Sequence, residues 1–202
     1  MYTKYIKTVI LMEEIDMKKL LQRSLSLVLA FAVLFTGLAV TANKAAAKAK
    51  SYKTYIMFAD STWKVQNGMS DDACKGAKNI KNKKGAQKVT LNINRSDLDG
   101  KDEDITAANV LCVDVVDLMK DYKESKVKIS NVVVKVDGKK VAIKAAKLKQ
   151  GYIEKEHQSE GNYKYRLEIF NEYGDTKADP CADASKFAFK KSLSVSFKIT
   201  LK

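Results

Sequence analysis

Ser192-Leu193-Ser194-Val195-Ser196-Phe197-Lys198-Ile199-Thr200-Leu201 alternates polar and apolar residues without a break. A strand sends successive side chains to opposite faces, so this period of two writes one buried face and one wet face, as in an antiparallel sheet. Residues 163–169 repeat the pattern, with Tyr163, Tyr165, Leu167 and Ile169 on one face. Val89, Leu91 and Ile93 do the same within residues 87–94, and Tyr52, Thr54, Ile56 and Phe58 mark an earlier strand. Two segments, 109–118 and 127–136, are apolar almost throughout and predict central strands packed on both faces or against a loop. Between Val136 and Val141, Asp137-Gly138 predicts a hairpin, because a type I′ turn needs positive φ and Gly supplies it at no steric cost. The remaining connections, 67–86, 96–106, 145–160 and 174–186, are polar, and residues 117–124 read as a short helical turn. There is one proline, Pro180, no internal repeat and no βαβ rhythm. The pattern predicts an all-β fold: an antiparallel β-sandwich of jelly-roll type with about eight strands.

Ahead of the strands lies a segment of a different kind. Residues 17–47 open with Met17-Lys18-Lys19 and Arg23, run through an uncharged apolar stretch from Leu25 to Val40, and end in Ala45-Ala46-Ala47. A basic start, an apolar middle and a small-residue exit are the layout of a secretory signal peptide. The expected cut follows Ala47, with Ala42 as the alternative; a retained anchor is the competing reading, since the run from Ser24 to Thr41 is close to the minimum membrane-spanning length. Residues 1–16 precede a better initiator, Met17, and read as an upstream start. The expected organisation is therefore 1–16 upstream, 17–47 export signal and 48–202 a single domain, secreted or at the cell surface, with no transmembrane segment once cleaved.

The chain is basic, with 37 Lys and Arg against 24 Asp and Glu. Six of the basic and three of the acidic residues precede Lys48, which leaves the expected mature chain at +10. Such a balance suits a polyanion or an anionic surface. After Lys48 the only arginines are Arg95 and Arg166, and bidentate reading of bases and phosphates relies on Arg, so nucleic acid is not the expected partner. A solvated surface weakly attracted to an anionic cell wall is. Three cysteines follow the export segment. Cys112, within Val110-Leu111-Cys112-Val113, reads as a small core residue. Cys74 and Cys181 lie in polar connections and form the one plausible disulfide pair.

Catalytic signatures are sparse. GxSxG, a Gly-rich phosphate loop and HExxH do not occur, and the sole histidine, His157, sits in a polar stretch that reads as an exposed loop. Carboxylates are abundant, but no two stand out as an acid–base pair. The acidic loop Asp97-Leu98-Asp99-Gly100-Lys101-Asp102-Glu103-Asp104 clusters oxygens that suit a hard cation, although Gly comes too early for an EF-hand and no Glu closes it at position twelve. Asp97, Asp99 and Asp102 are the candidate structural Ca²⁺ ligands; no other cofactor is expected. Among the aromatics, Trp63 is the only tryptophan and follows the first strand, while Tyr173 follows the strand around residue 169. A flat apolar ring can either seal the end of a sandwich or stack on the C–H face of a sugar whose hydroxyls bond carboxylates and amides.

These two segments carry a resemblance. Tyr55-Ile56-Met57-Phe58-Ala59-Asp60-Ser61-Thr62-Trp63 matches a Y-x-x-F-A-D-x-x-W opening, and Arg166-Leu167-Glu168-Ile169-Phe170-Asn171-Glu172-Tyr173 matches a late R-x-x-[IL]-[FY]-N-x-[WY]. Together with the intervening V-T-L-N-I strand and V-x-V-D-G-K-x-V hairpin, they resemble carbohydrate-binding-type β-sandwich modules of secreted clostridial glycoside hydrolases, over roughly residues 51–201. The chain departs from that pattern after Trp63, where Lys64-Val65-Gln66-Asn67-Gly68-Met69 replaces further aromatics, and at Tyr173, where Trp is common; both thin the stacking surface. The resemblance implies a stand-alone, non-catalytic binder of polysaccharide or cell-wall glycan from a Gram-positive bacterium, monomeric, with Trp63 and Tyr173 stacking on sugar rings and Asp60 and Asn171 bonding hydroxyls. Tyr55, inside the first strand, is expected to be structural. A structural or adhesive envelope protein held on anionic wall polymer is the alternative, and a hydrolase with an unrecognised carboxylate site is the third reading.

Overall fold

The computed structural model describes residues 50–153 and 163–202. Ten strands form two antiparallel sheets: β1 (Ser51–Asp60), β2 (Gln66–Asn67), β3 (Lys78–Lys81), β4 (Gly85–Asn94), β5 (Ala108–Val115), β6 (Val127–Val136), β7 (Lys139–Lys140), β8 (Lys149–Tyr152), β9 (Tyr165–Asn171) and β10 (Ser192–Leu201). One sheet is ordered β2-β1-β5-β9-β8, with β3 also paired to β1; the other is ordered β4-β10-β6-β7. Helical structure among the described residues is confined to single 3₁₀ turns, one of which, Leu118–Lys120, falls within residues 117–124 where a short helical turn is expected, while another, Glu124–Lys126, begins at the end of that stretch. None is long and apolar enough to cross a membrane. Residues 17–47, where an export signal is expected, and His157 lie outside the described residues.

The alternation of β10 becomes burial directly. Leu193, Val195, Phe197, Ile199 and Leu201 are buried, and the serines, Lys198 and Thr200 between them are not. Paired on both sides along its length, β10 is the centre of its sheet. Its inner residues meet Ile56, Phe58, Leu111, Val113, Leu167 and Ile169 of the other sheet in one core, with Phe58 edge-on to Phe189 at 5.2 Å. Strand β5 is packed on both faces, as its composition predicts. Leu111, Val113 and Val115 enter the inter-sheet core, while Val110 and Cys112 form a second small cluster with Ala59 on the outer face. The Asp137-Gly138 hairpin is present, with φ of 50° and 81°, the two left-handed residues that type I′ demands.

Three expectations require correction. β6 is not buried on both faces: Val127, Ile129 and Val134 are buried, and the run Val132-Val133 is half-buried. Asn131 adopts φ 55°, and the pairing with β10 slips between Ser196 and Lys198, so a bulge reverses the phase of the strand midway. The polar connections 67–86 and 145–160 also hide strands β3 and β8, four residues each, which have too few buried side chains to write a period. Finally, Cys74 and Cys181 are not bonded. Cys181 is in the inter-sheet core with its thiol on the Ile169 carbonyl, whereas Cys74 stays in the loop after β2, turned to the Asp71 carbonyl.

Candidate functional site

β1 and β9 flank β5, and both run antiparallel to it, so they run parallel to each other and end on the same side of the sheet. Ala59 and Asn171 each pair with Val110, which sets the two strand ends roughly 10 Å apart, two strand spacings. The chain leaves β1 toward Trp63 and β9 toward Tyr173, and the turns lean together over the start of β5. The rings lie 5.9 Å apart, centroid to centroid, at 44°. Trp63 is 38 % and Tyr173 70 % exposed, which removes the reading of Trp63 as a core residue.

The Trp63 turn is built by Asp60. Its carboxylate accepts from the amides of Thr62 (3.0 Å) and Val65 (2.7 Å) and from the Thr62 hydroxyl, while its carbonyl accepts from the Trp63 amide. Trp63 takes a left-handed conformation, φ 60°, inside that frame. Burial works against ionisation of Asp60, but the bonds from Thr62, Val65 and Lys64 outweigh it and hold the carboxyl below its ordinary value. Asp60 is fully buried, so it positions the ring and does not face a ligand. That corrects its expected place beside a sugar hydroxyl.

The Tyr173 turn rests on a second, half-buried arrangement. Asn171 accepts from the Tyr173 amide (3.1 Å) and donates to Glu168 (3.2 Å). The other Glu168 oxygen accepts from the amide and hydroxyl of Thr176, both at 2.8 Å. A Cβ on Gly174 would come within 2.5 Å of both the Asn171 amide nitrogen and the Glu168 carboxylate, so a larger residue would push these two side-chain ends out of their present arrangement. Asn109 donates to the Tyr173 hydroxyl at 3.3 Å. Asn171 is half-buried at the edge of the platform and shares its amide with the turn.

Tyr173 also lines an open cleft of about 530 Å³ that runs down the outer face of the sheet past Gly174, Asp175, Glu168, Arg166, Lys149 and Tyr152. Arg166 forms a two-pronged pair with the fully buried Asp114, at 2.7 and 2.8 Å. Burial opposes the charge on Arg166, and the Asp114 pair more than offsets it, raising its pKa. Tyr55 is buried as expected, its hydroxyl donating to Asp71 at 2.7 Å and its ring under Lys164. Sequence reasoning left Arg166, Glu168 and Lys149 unassigned. The first two were readable: they hold the polar parity of β9, opposite Tyr165, Leu167 and Ile169. Lys149 was not, because β8 writes no period.

The acidic loop does not form a cation cradle. Arg95 is buried beneath it, and its guanidinium donates to the carbonyls of Gly100 and Glu103, taking the interior position a metal would need. Asp97 turns to Asn94 and Ser96, while Asp99 and Asp102 are exposed. Among the described residues no three His, Cys, Asp or Glu side chains converge as a metal-binding set. Compared with protein-family models, curated proteins and solved structures, the chain matches none of them.

Proposed function

We propose that the protein is an exported, non-catalytic, monomeric binder of polysaccharide, with Trp63 and Tyr173 as its stacking platform. The observation that carries this reading is the convergence of two exposed aromatic rings from distant parts of the chain, one turn held by the buried Asp60 carboxylate and the other by the half-buried Glu168. Soluble proteins leave large rings in solvent sparingly, and paired exposed aromatics beside a polar cleft suit sugar rings, which offer apolar C–H faces and hydroxyl edges. The 44° tilt favours a twisted chain over a flat crystalline surface. Within the cleft, Lys149 and Arg166 supply hydrogen-bonding groups, and Asn171 adds its half-buried amide beside the Tyr173 turn. Glu168 supports the non-catalytic reading, since both its oxygens are engaged by Thr176 and Asn171. The address outside the cell rests on residues 17–47.

The test is affinity electrophoresis through a panel of soluble polysaccharides, alongside a glycan array. At least one glycan should retard the wild type, and Trp63→Ala and Tyr173→Ala should each weaken binding by roughly tenfold or more, as loss of a central aromatic contact typically does. Retardation by no glycan, or retardation indifferent to both substitutions, refutes the proposal.

A further inference from the structure

The second sheet presents an outer face that the sugar platform does not use. Strands β4, β6, β7 and β10 contain no Asp or Glu, yet carry Lys88, Lys128, Lys135, Lys139, Lys140 and Lys198. The strand register sorts these by face. The inward row of β10 is apolar, and its outward row sets Lys198 opposite Lys88, Ser196 opposite Thr90, and Thr200 opposite Lys128. Beyond the bulge, Lys135 continues the outer face and pairs with Lys140 of β7. Two lysine pairs, Lys88 with Lys198 and Lys135 with Lys140, therefore stand directly across neighbouring strands. Like charges so placed repel.

Nothing described relieves that repulsion. The ion pairs of the described residues involve none of these six lysines. Asp137, in the turn between β6 and β7, spends its carboxylate on the amides of Lys190, Lys191 and Ser192. Between the lysines the face offers hydroxyls and amides around the half-buried Val133, with Thr90 bonded to Ser196 at 2.9 Å. It holds no arginine, and the one aromatic of these strands, Phe197, points into the core.

We propose that this face binds an extended phosphodiester polymer without bases, laid across β4, β10, β6 and β7 with its phosphates on the lysine pairs. Charge complementarity selects a polyanion. Point-charge ammoniums and hydroxyl donors can bond phosphate oxygens in sequence, whereas the absence of arginine forks and stacking rings leaves nothing to hold a nucleobase. The lysines run diagonally, three strand gaps across and four residues of β10 along, a span of roughly 19 Å that holds about three extended repeats with four phosphates on a face too flat to enclose a small molecule.

The probe is poly(glycerol phosphate) of defined length, titrated against the full chain at several salt concentrations. By the single-strand counterion rule, four neutralised phosphates give a log–log salt slope of about −3, or about 50-fold weaker binding at 200 mM than at 50 mM salt. The combined variant Lys88→Ser, Lys198→Ser, Lys135→Ser, Lys140→Ser should bind at least tenfold more weakly at 50 mM and lose most of the slope. It should unfold at the same temperature as the wild type or higher, because two repulsive pairs disappear. Trp63→Ala should bind the polymer as the wild type does. The proposal is overturned if the wild type does not bind at 50 mM, or if the four-lysine variant binds unchanged. Loss in Trp63→Ala equal to that of the lysine variant would also overturn it, by moving the polymer to the aromatic platform. So would tighter binding of single-stranded DNA of equal charge, which would assign the face to nucleic acid.

Discussion

Asp60 shows how a buried carboxylate can serve a ring in solvent. Its oxygens close the turn after β1 onto Thr62 and Val65, and Trp63 is carried outward by that closure. Asp60→Ala strands the buried Val65 amide without its side-chain acceptor and releases Thr62, so it should cost about 1–3 kcal/mol of stability. Because Trp63 is the only tryptophan, its fluorescence reads this turn alone. Urea unfolding should show the loss, and the native emission should shift as the ring loses its frame; unchanged stability with unchanged emission would mean that Asp60 is not the support. The sequence made Trp63 and Tyr173 legible, since both stand just past an alternating run. It did not make the role of Asp60 legible. A carboxylate beside an exposed aromatic suits a sugar hydroxyl and an Asx turn equally well, and only the burial of the side chain separates them. Arg95 is a similar case: a buried cation beneath an acidic loop cannot be inferred from the acids alone.

Among the strands, legibility follows amphipathicity. β4, β9 and β10 bury mainly one face and are written as period two; β1 shows the same period in Tyr52, Thr54, Ile56 and Phe58 although Tyr55 and Ala59 are buried on its other side; β3 and β8 form because a neighbour offers a free edge. Their own residues barely alternate, so nothing local announces them. β6 misleads for another reason. Its valines look like a strand buried on both sides, but the bulge at Asn131 splices two half-strands of opposite phase. Asn tolerates the left-handed conformation there and a β-branched residue does not, so Asn131→Val should destabilise by about 1–2 kcal/mol while Asn131→Gly stays close to neutral. Urea midpoints of the two variants check this. The side chain is exposed, so a loss in Asn131→Val cannot be assigned to core packing.

For the molecule as a whole, acid is the informative perturbation. Burial raises the proton affinity of Asp60, Asp71 and Asp137, yet each is held below its ordinary value by its partners: Thr62 and Val65 at Asp60, Lys164 and Tyr55 at Asp71, and the amides of Ser192, Lys190 and Lys191 at Asp137. A carboxyl that binds its proton less tightly when folded adds stability that is fully present above the unfolded value, near 4, and is lost as pH falls through the folded values. Urea midpoints should therefore change little between pH 7 and pH 5 and fall steeply below about pH 4. A midpoint insensitive to pH 3 would show that these networks contribute nothing net. The two-sheet plan itself was legible, because enough strands are amphipathic to require two apolar faces to meet. The order of the strands was not, since it depends on pairings between residues far apart in the chain.

That order has a consequence in time. β4 and β6 never touch as neighbours; each pairs with β10, which follows β6 by more than fifty residues. A chain emerging amino end first from a ribosome, or threading a translocation pore, holds both strands without their common partner until residues 192–201 arrive. The second sheet therefore cannot close until its last strand is available, whereas β1, β5 and β9 can already pair with one another, a delay for one half of the core that is built into the topology.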